Sequence, residues 1–194
     1  MARPATQHAP THARIVEIAR RHIAEHGVAN LELAPVAAEA GLSAPSLYHY
    51  IENRRALVLA ALSEEIDGLL KEVVAPDDPS ADPPVRLRTF LDRQHRWLTT
   101  TSPRTVGFLL ESVLESREAE DVQHVVAPVF GHAESLFHDV AAAQPGCTPE
   151  QSATDAATAR TTLAGVYVMR AVVADVDISA LLDTIEVTLT GSSK

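Results

Sequence analysis

Residues 33–57, LAPVAAEAGLSAPSLYHYIENRRAL, decide how this chain is to be read. Two stretches with helical apolar spacing, Leu33 to Ala40 and Ala44 to Tyr50, flank the tight turn Gly41-Leu42-Ser43. Helix, glycine turn, helix at this spacing is the layout of a helix-turn-helix, whose second helix enters the major groove of DNA. Gly41 can take a positive φ at little cost, so the chain can reverse at once. Ser43 can cap the following helix, and Pro45 suits a first turn, where no backbone donor is needed. The stretch predicts a DNA-binding regulator.

Working outward, 194 residues with 46% hydrophobic content can hold one sizeable core, or a small domain fused to a larger one. No apolar run reaches the ~18 residues of a membrane helix. The start, MARPATQHAP, lacks the apolar segment of a signal peptide, so a cytoplasmic location is expected. Cys147 is the single cysteine and cannot form an internal disulfide; between Pro145 and Pro149 it reads as a loop thiol. The net charge of −10 divides unevenly. Residues 1–55 hold six arginines against five glutamates, and residues 56–194 hold 10 basic against 21 acidic side chains. A near-neutral start on an acidic body fits an N-terminal DNA reader whose remainder stays off DNA. Phosphate contacts dominate protein–DNA affinity, so the thin basic surplus predicts weak binding by one copy and a need for two.

Residues 1–10 read as an arm. A helix from Thr11 or His12 to His26 carries Ile15, Ile18, Ala19, His22 and Ile23 on one face and stops at Gly27. After the helix pair, a long helix opened by Asn53 runs toward Pro76, and Pro76–Pro84 is a proline-rich loop. Helical spacing then continues from Val85 to near Pro103, from Val106 to Leu114, and from about Glu118 to Ala143. Pro128 should kink or break the last of these near Val125. Thr148, Pro149 and Gln151 open a helix to about Ala174, and Asp177 caps a final one ended by Gly191. The expected fold is all-α with about nine helices. A three-helix helix-turn-helix domain with its arm occupies residues 1–55, and a helical ligand-binding and dimerisation bundle occupies 56–194.

Gly27, Val36-Ala37, Ala40-Gly41-Leu42-Ser43, Leu47-Tyr48, Tyr50, and Arg54 with Leu57 follow one another over about 45 residues. In this order they resemble the core pattern of the tetracycline-repressor (TetR) family of bacterial transcription regulators. Three positions depart from it. Ile51 stands where an aromatic usually follows the tyrosines, Glu32 replaces the usual threonine cap, and Ala34-Pro35 replaces an early basic residue. The resemblance implies a homodimer formed by the last two helices and a small-molecule effector.

Ser43, Pro45, Ser46 and His49 should face the groove, while Ala44, Leu47 and Tyr50 turn toward the three-helix core. Hydroxyls can bond base edges or phosphates, and proline can touch a thymine methyl. Tyr48 either donates to a phosphate or packs half-buried, and His49 either contacts DNA or is solvated. Arg54 and Arg55 open a helix, where cations are disfavoured without an anionic partner, so at least one should reach the sugar-phosphate backbone. Phe90, Trp97, Phe108, Phe130, Phe137 and Tyr167 are either ordinary core or the lining of a small-molecule cavity, with Glu111 and Arg170 as possible orienting groups. Leu163, Ala164, Tyr167, Leu181, Leu182 and Ile185 carry the expected dimer interface. Two copies would place two reading helices about one DNA turn or more apart on a near-palindromic double-stranded operator.

An enzyme and a helical interaction protein without DNA binding are the competing readings. His124, His132 and His138 near Asp121, Glu134 and Asp139 could hint at a metal-dependent enzyme. No His-Glu-x-x-His spacing, phosphate loop or nucleophile motif accompanies them, so no metal, cofactor or catalytic residue is expected. Against the interaction protein stand Ser43, Pro45, Ser46, Tyr48 and His49 after the turn, whose chemistry packing does not require. The preferred reading is a ligand-responsive regulator, most simply a repressor released by a small, largely apolar molecule.

Overall fold

Nine α-helices and one 3-10 turn make up the regular structure of the computed structural model, which describes residues 8–73, 78, 80–115, 119–173 and 175–191. The helices are α1 His8–His26, α2 Leu33–Glu39, α3 Ala44–Leu47, α4 Arg54–Glu72, α5 Pro83–Thr100, α6 Pro103–Glu115, α7 Glu120–Ala142, α8 Pro149–Val172 and α9 Ile178–Thr190. The 3-10 turn is Val28–Asn30. The expected all-α architecture is present, and the first seven residues and Pro76, Asp77 and Pro79 of the proline-rich loop lie outside the described residues. No helix among the described residues is long and apolar enough to cross a membrane.

The chain forms two compact units, one ending at Glu65 and one beginning at Ile66. The boundary expected after residue 55 therefore falls inside α4 instead. The reason is local: Leu57, Ala61 and Leu62 in the first turns of α4 are buried, and Glu65 receives Arg20 of α1 at 2.9 Å. In this first unit Ile15, Ala19 and Ile23 of α1, Val36 and Ala37 of α2, and Leu47 of α3 complete a small core. Gly27 at φ +83 ends α1, and Gly41 at φ +68 makes the turn between α2 and α3. Both are left-handed conformations that a β-carbon penalises.

The second unit is built around α8, which packs against α6, α7 and α9. Phe90 of α5 meets Phe137 of α7 edge-on at 5.7 Å, and Leu87, Leu98, Leu136 and Ile185 are buried in the same unit. Thr148 and Asp177 cap α8 and α9 through Gln151 N at 3.2 Å and Ala180 N at 3.0 Å. Two boundaries moved. α5 starts at Pro83, not Val85, because prolines fit a first turn whose donors have no partner. α7 runs unbroken through Pro128, where a kink or break was expected.

Candidate functional site

The reading segment is short. α3 spans four residues and continues as turns to Tyr50, whose N–H donates to the Leu47 carbonyl at 2.8 Å. Ser43 Oγ accepts from Ser46 N at 3.2 Å, and the two hydroxyls lie 2.8 Å apart. Leu47 and Ile51 point inward and are buried, which fixes the roll of the segment about its axis. The face so presented to solvent holds Ser43, Pro45 and His49, with Tyr48 55% exposed and Ser46 half-buried beside them. Ala44, expected in the core, is exposed too, since the segment ends before a second turn can carry it inward.

Arg54 differs from its expected role. Its Nε donates to the Leu31 carbonyl at 2.9 Å, and a terminal nitrogen donates to the carbonyls of Val28 and Ala29. The guanidinium thus ties the start of α4 to the 3-10 turn and the entry of α2. Arg55 is exposed beside it. Three further basic side chains of this unit are also engaged. Arg14 donates to the Glu39 carbonyl at 3.2 Å, Arg21 pairs with the Glu39 carboxylate, and His22 lies 3.0 Å from the same carboxylate. These contacts bind α1 to the C-terminal end of α2.

A cavity of about 180 Å³ lies in the second unit. Ile66, Leu69 and Val73 of α4, Phe90 and Gln94 of α5, and Leu109, Leu110 and Val113 of α6 wall one part of it. Ala133 of α7 and Arg160, Leu163, Ala164, Tyr167 and Val168 of α8 wall the rest. Of the residues expected to line a cavity, Phe90 and Tyr167 do so. Trp97, Phe108 and Phe137 are buried as core, with Trp97 stacked on Tyr167 at 5.7 Å. Glu111 points to solvent, because the wall of α6 is made by the stripe through Leu109 and Val113. Arg170 instead donates to the carbonyls of Leu98 and Thr101, both at 2.8 Å, and so satisfies the open end of α5. The side chain of Phe130 lies outside the described residues.

Gln94 is the polar residue that the sequence reading missed. It is 3% exposed and accepts the Tyr167 hydroxyl at 2.7 Å. Burial pushes the Tyr167 pKa up, and the bond to Gln94 offsets this only in part, so the hydroxyl keeps its proton. A signal existed in the sequence. Gln94 stands at helical spacing inside the stripe Leu87, Phe90, Leu91, Trp97, Leu98, where a polar residue must face the interior.

The outer faces of α8 and α9 also differ from expectation. Leu163, Leu182 and Ile185 are buried within the protomer, and Leu181 and Tyr167 are half-buried. Ala164 is exposed, together with Val168, Met169 and Val172 of α8 and Val187 of α9, and Val172 is 73% exposed.

Among the described residues no three His, Cys, Asp or Glu side chains stand close enough to hold a metal. Glu134 pairs with Arg160 at 2.8 Å and Asp139 with Arg86 at 3.4 Å.

Residues 15–61 match the bacterial regulatory proteins of the tetR family. Over 154 residues the chain is 25% identical to the HTH-type transcriptional regulator BetI of Agrobacterium fabrum, covering 79% of this chain and 73% of that one. The fold is similar to that of a TetR transcription regulator from Haloarcula marismortui, with a TM-score of 0.73 and 18% identity over 93% of this chain and 97% of the other. It is also similar to AibR, solved with isovaleryl coenzyme A and operator DNA, with a TM-score of 0.67 and 17% identity over 92% and 97% of the two chains. The matched segment holds both helices of the helix-turn-helix, the Gly41 turn and the start of α4, so residues 15–61 form a helix-turn-helix segment of the tetR-family type.

Proposed function

We propose that the chain is a homodimeric repressor that leaves its operator when a small, largely apolar molecule enters the cavity of the second unit. One observation carries this reading. A single helix, α4, is anchored by Arg54 at its start and supplies Ile66, Leu69 and Val73 to the cavity wall at its end. A molecule filling the cavity acts on the far turns of α4, and any movement of that helix pulls on the loop and helix pair that Arg54 holds. Two states of α4, each favoured by one ligand, couple effector to DNA. AibR, with both an acyl coenzyme A and operator DNA in its structure, is a precedent for such two-ligand behaviour.

The DNA contacts assigned on this reading are Ser43, Pro45, Ser46, Tyr48, His49 and Arg55, with Arg54 as a positioning residue. Dimerisation is assigned to the outer faces of α8 and α9, where Val168, Met169, Val172 and Val187 expose apolar surface on an otherwise acidic unit. Such a regulator works in the cytoplasm, on a near-palindromic site.

Fluorescence anisotropy with the duplex upstream of the protein's own gene tests the reading. Binding should be tighter than to random duplex, fall steeply with salt, and weaken when cavity ligands are added. Equal affinity for both duplexes at every salt concentration contradicts it, and favours a helical interaction protein without DNA specificity.

A further inference from the structure

We propose that the cavity, taken as the effector site assigned above, selects small uncharged molecules bearing one hydrogen-bond acceptor, typically a ketone or ester carbonyl, received by the amide nitrogen of Gln94. Gln94 is nine-tenths buried and lines the cavity. Its Oε1 accepts the Tyr167 hydroxyl at 2.7 Å. Among the described residues nothing else accepts the Tyr167 proton, so the amide must turn its oxygen to Tyr167 and its nitrogen away. That nitrogen has no partner among the described residues, and it is not sealed from open space. A donor that opens onto the cavity with no protein acceptor is placed to receive one from a ligand.

Size narrows the class further. An apolar cavity of ~150 Å³ accommodates benzene, so about 180 Å³ suits a substituted benzene or an aliphatic chain of similar bulk. Charge narrows it again. Arg160 is the charged lining residue; it stands half-exposed at the rim and is paired with Glu134 at 2.8 Å. Among the described lining residues, a carboxylate or ammonium inside would meet apolar side chains, the Gln94 amide and the Tyr167 hydroxyl, while Arg160 is already paired with Glu134.

Acetophenone and α-methylstyrene have nearly the same shape and differ in an oxygen replaced by a methylene group; benzoate adds a charge. Calorimetric titration of the full chain with each, with emission of the single tryptophan, Trp97, as second readout, tests the proposal. Acetophenone should bind about fivefold tighter than α-methylstyrene, the worth of one neutral hydrogen bond. Benzoate should bind more weakly than either, and Gln94→Leu should bring the first two to equal affinity while keeping α-methylstyrene bound. Equal affinities in the unaltered protein, a preference that survives Gln94→Leu, tightest binding by benzoate, or no binding at all overturns the proposal. The isosteric pair needs no variant, so a poorly folded Gln94→Leu leaves the test intact. Operator affinity measured alongside separates the two readings. A Gln94-dependent preference without change in DNA binding supports this ligand class and removes the repressor mechanism. Release of DNA by all three compounds alike keeps that mechanism and overturns the ligand class.

Discussion

Arg54 Nε donates to the Leu31 carbonyl at 2.9 Å, so the residue that opens α4 also closes the segment leading into α2. The contact spans 23 residues, and the recognition segment lies between them in sequence. It ties the first turn of α4 to the segment that leads into the helix-turn-helix.

Arg54→Ala should therefore lower the melting temperature of the protein, with a loss of about 1–2 kcal/mol for a set of part-exposed charge-assisted hydrogen bonds. DNA affinity should fall as well, while the slope of log affinity against log salt stays unchanged. A phosphate-contacting arginine would flatten that slope by ~1 with little effect on melting. Arg54→Lys should not rescue, because one ammonium cannot reach carbonyls that the fork of a guanidinium spans.

Tyr48→Phe removes one hydroxyl from a side chain already 55% exposed, so the fold should be unaffected. If that hydroxyl donates to a phosphate, affinity for specific and random duplex should both drop by about fivefold. Unchanged affinity for both duplexes assigns Tyr48 to packing.

Gly41→Ala places a β-carbon at φ +68, with open space around it but a strained backbone. A loss of about 1–2 kcal/mol is expected from this conformation alone. DNA binding should suffer more than stability, since the turn sets the angle of the recognition segment. Thermal melts compared with anisotropy on one sample measure both.

Val172→Glu and Leu182→Glu should behave oppositely. Val172 is 73% exposed, so the charge is tolerated by the protomer and gives folded monomers by gel filtration with light scattering. Leu182 is 4% exposed inside the protomer, so a carboxylate there should unfold it, at a cost above about 3 kcal/mol. A folded dimer of Val172→Glu would move the interface elsewhere.

Local chemistry made much of this fold legible. Gly27 and Gly41, the Ser43, Thr148 and Asp177 caps, and the apolar stripes of α1 and α5 each act within a few residues, so spacing alone reveals them. Long-range contacts were not legible. Nothing near Arg54 announces three carbonyls some 23–26 residues away, and nothing near Arg170 announces the end of α5. Charge at a helix start pointed Arg54 or Arg55 to phosphate, and the Arg54 guanidinium donates to backbone carbonyls. On α8 both faces are apolar, so spacing did not tell Leu163, which faces the core, from Val172, which faces out. The helix-turn-helix faces were easier, because Leu47 and Ile51 stand alone among polar neighbours.

Hydroxyl-radical footprinting on the upstream duplex tests the central claim, two recognition segments gripping one site, most directly. Two protected patches are predicted on one face of the DNA, about 34 Å or a multiple of that apart. Both should vanish together in Val172→Glu, since one copy with so few phosphate contacts binds poorly. A single patch retained by the monomeric variant, or uniform protection no different from random sequence, would contradict the account.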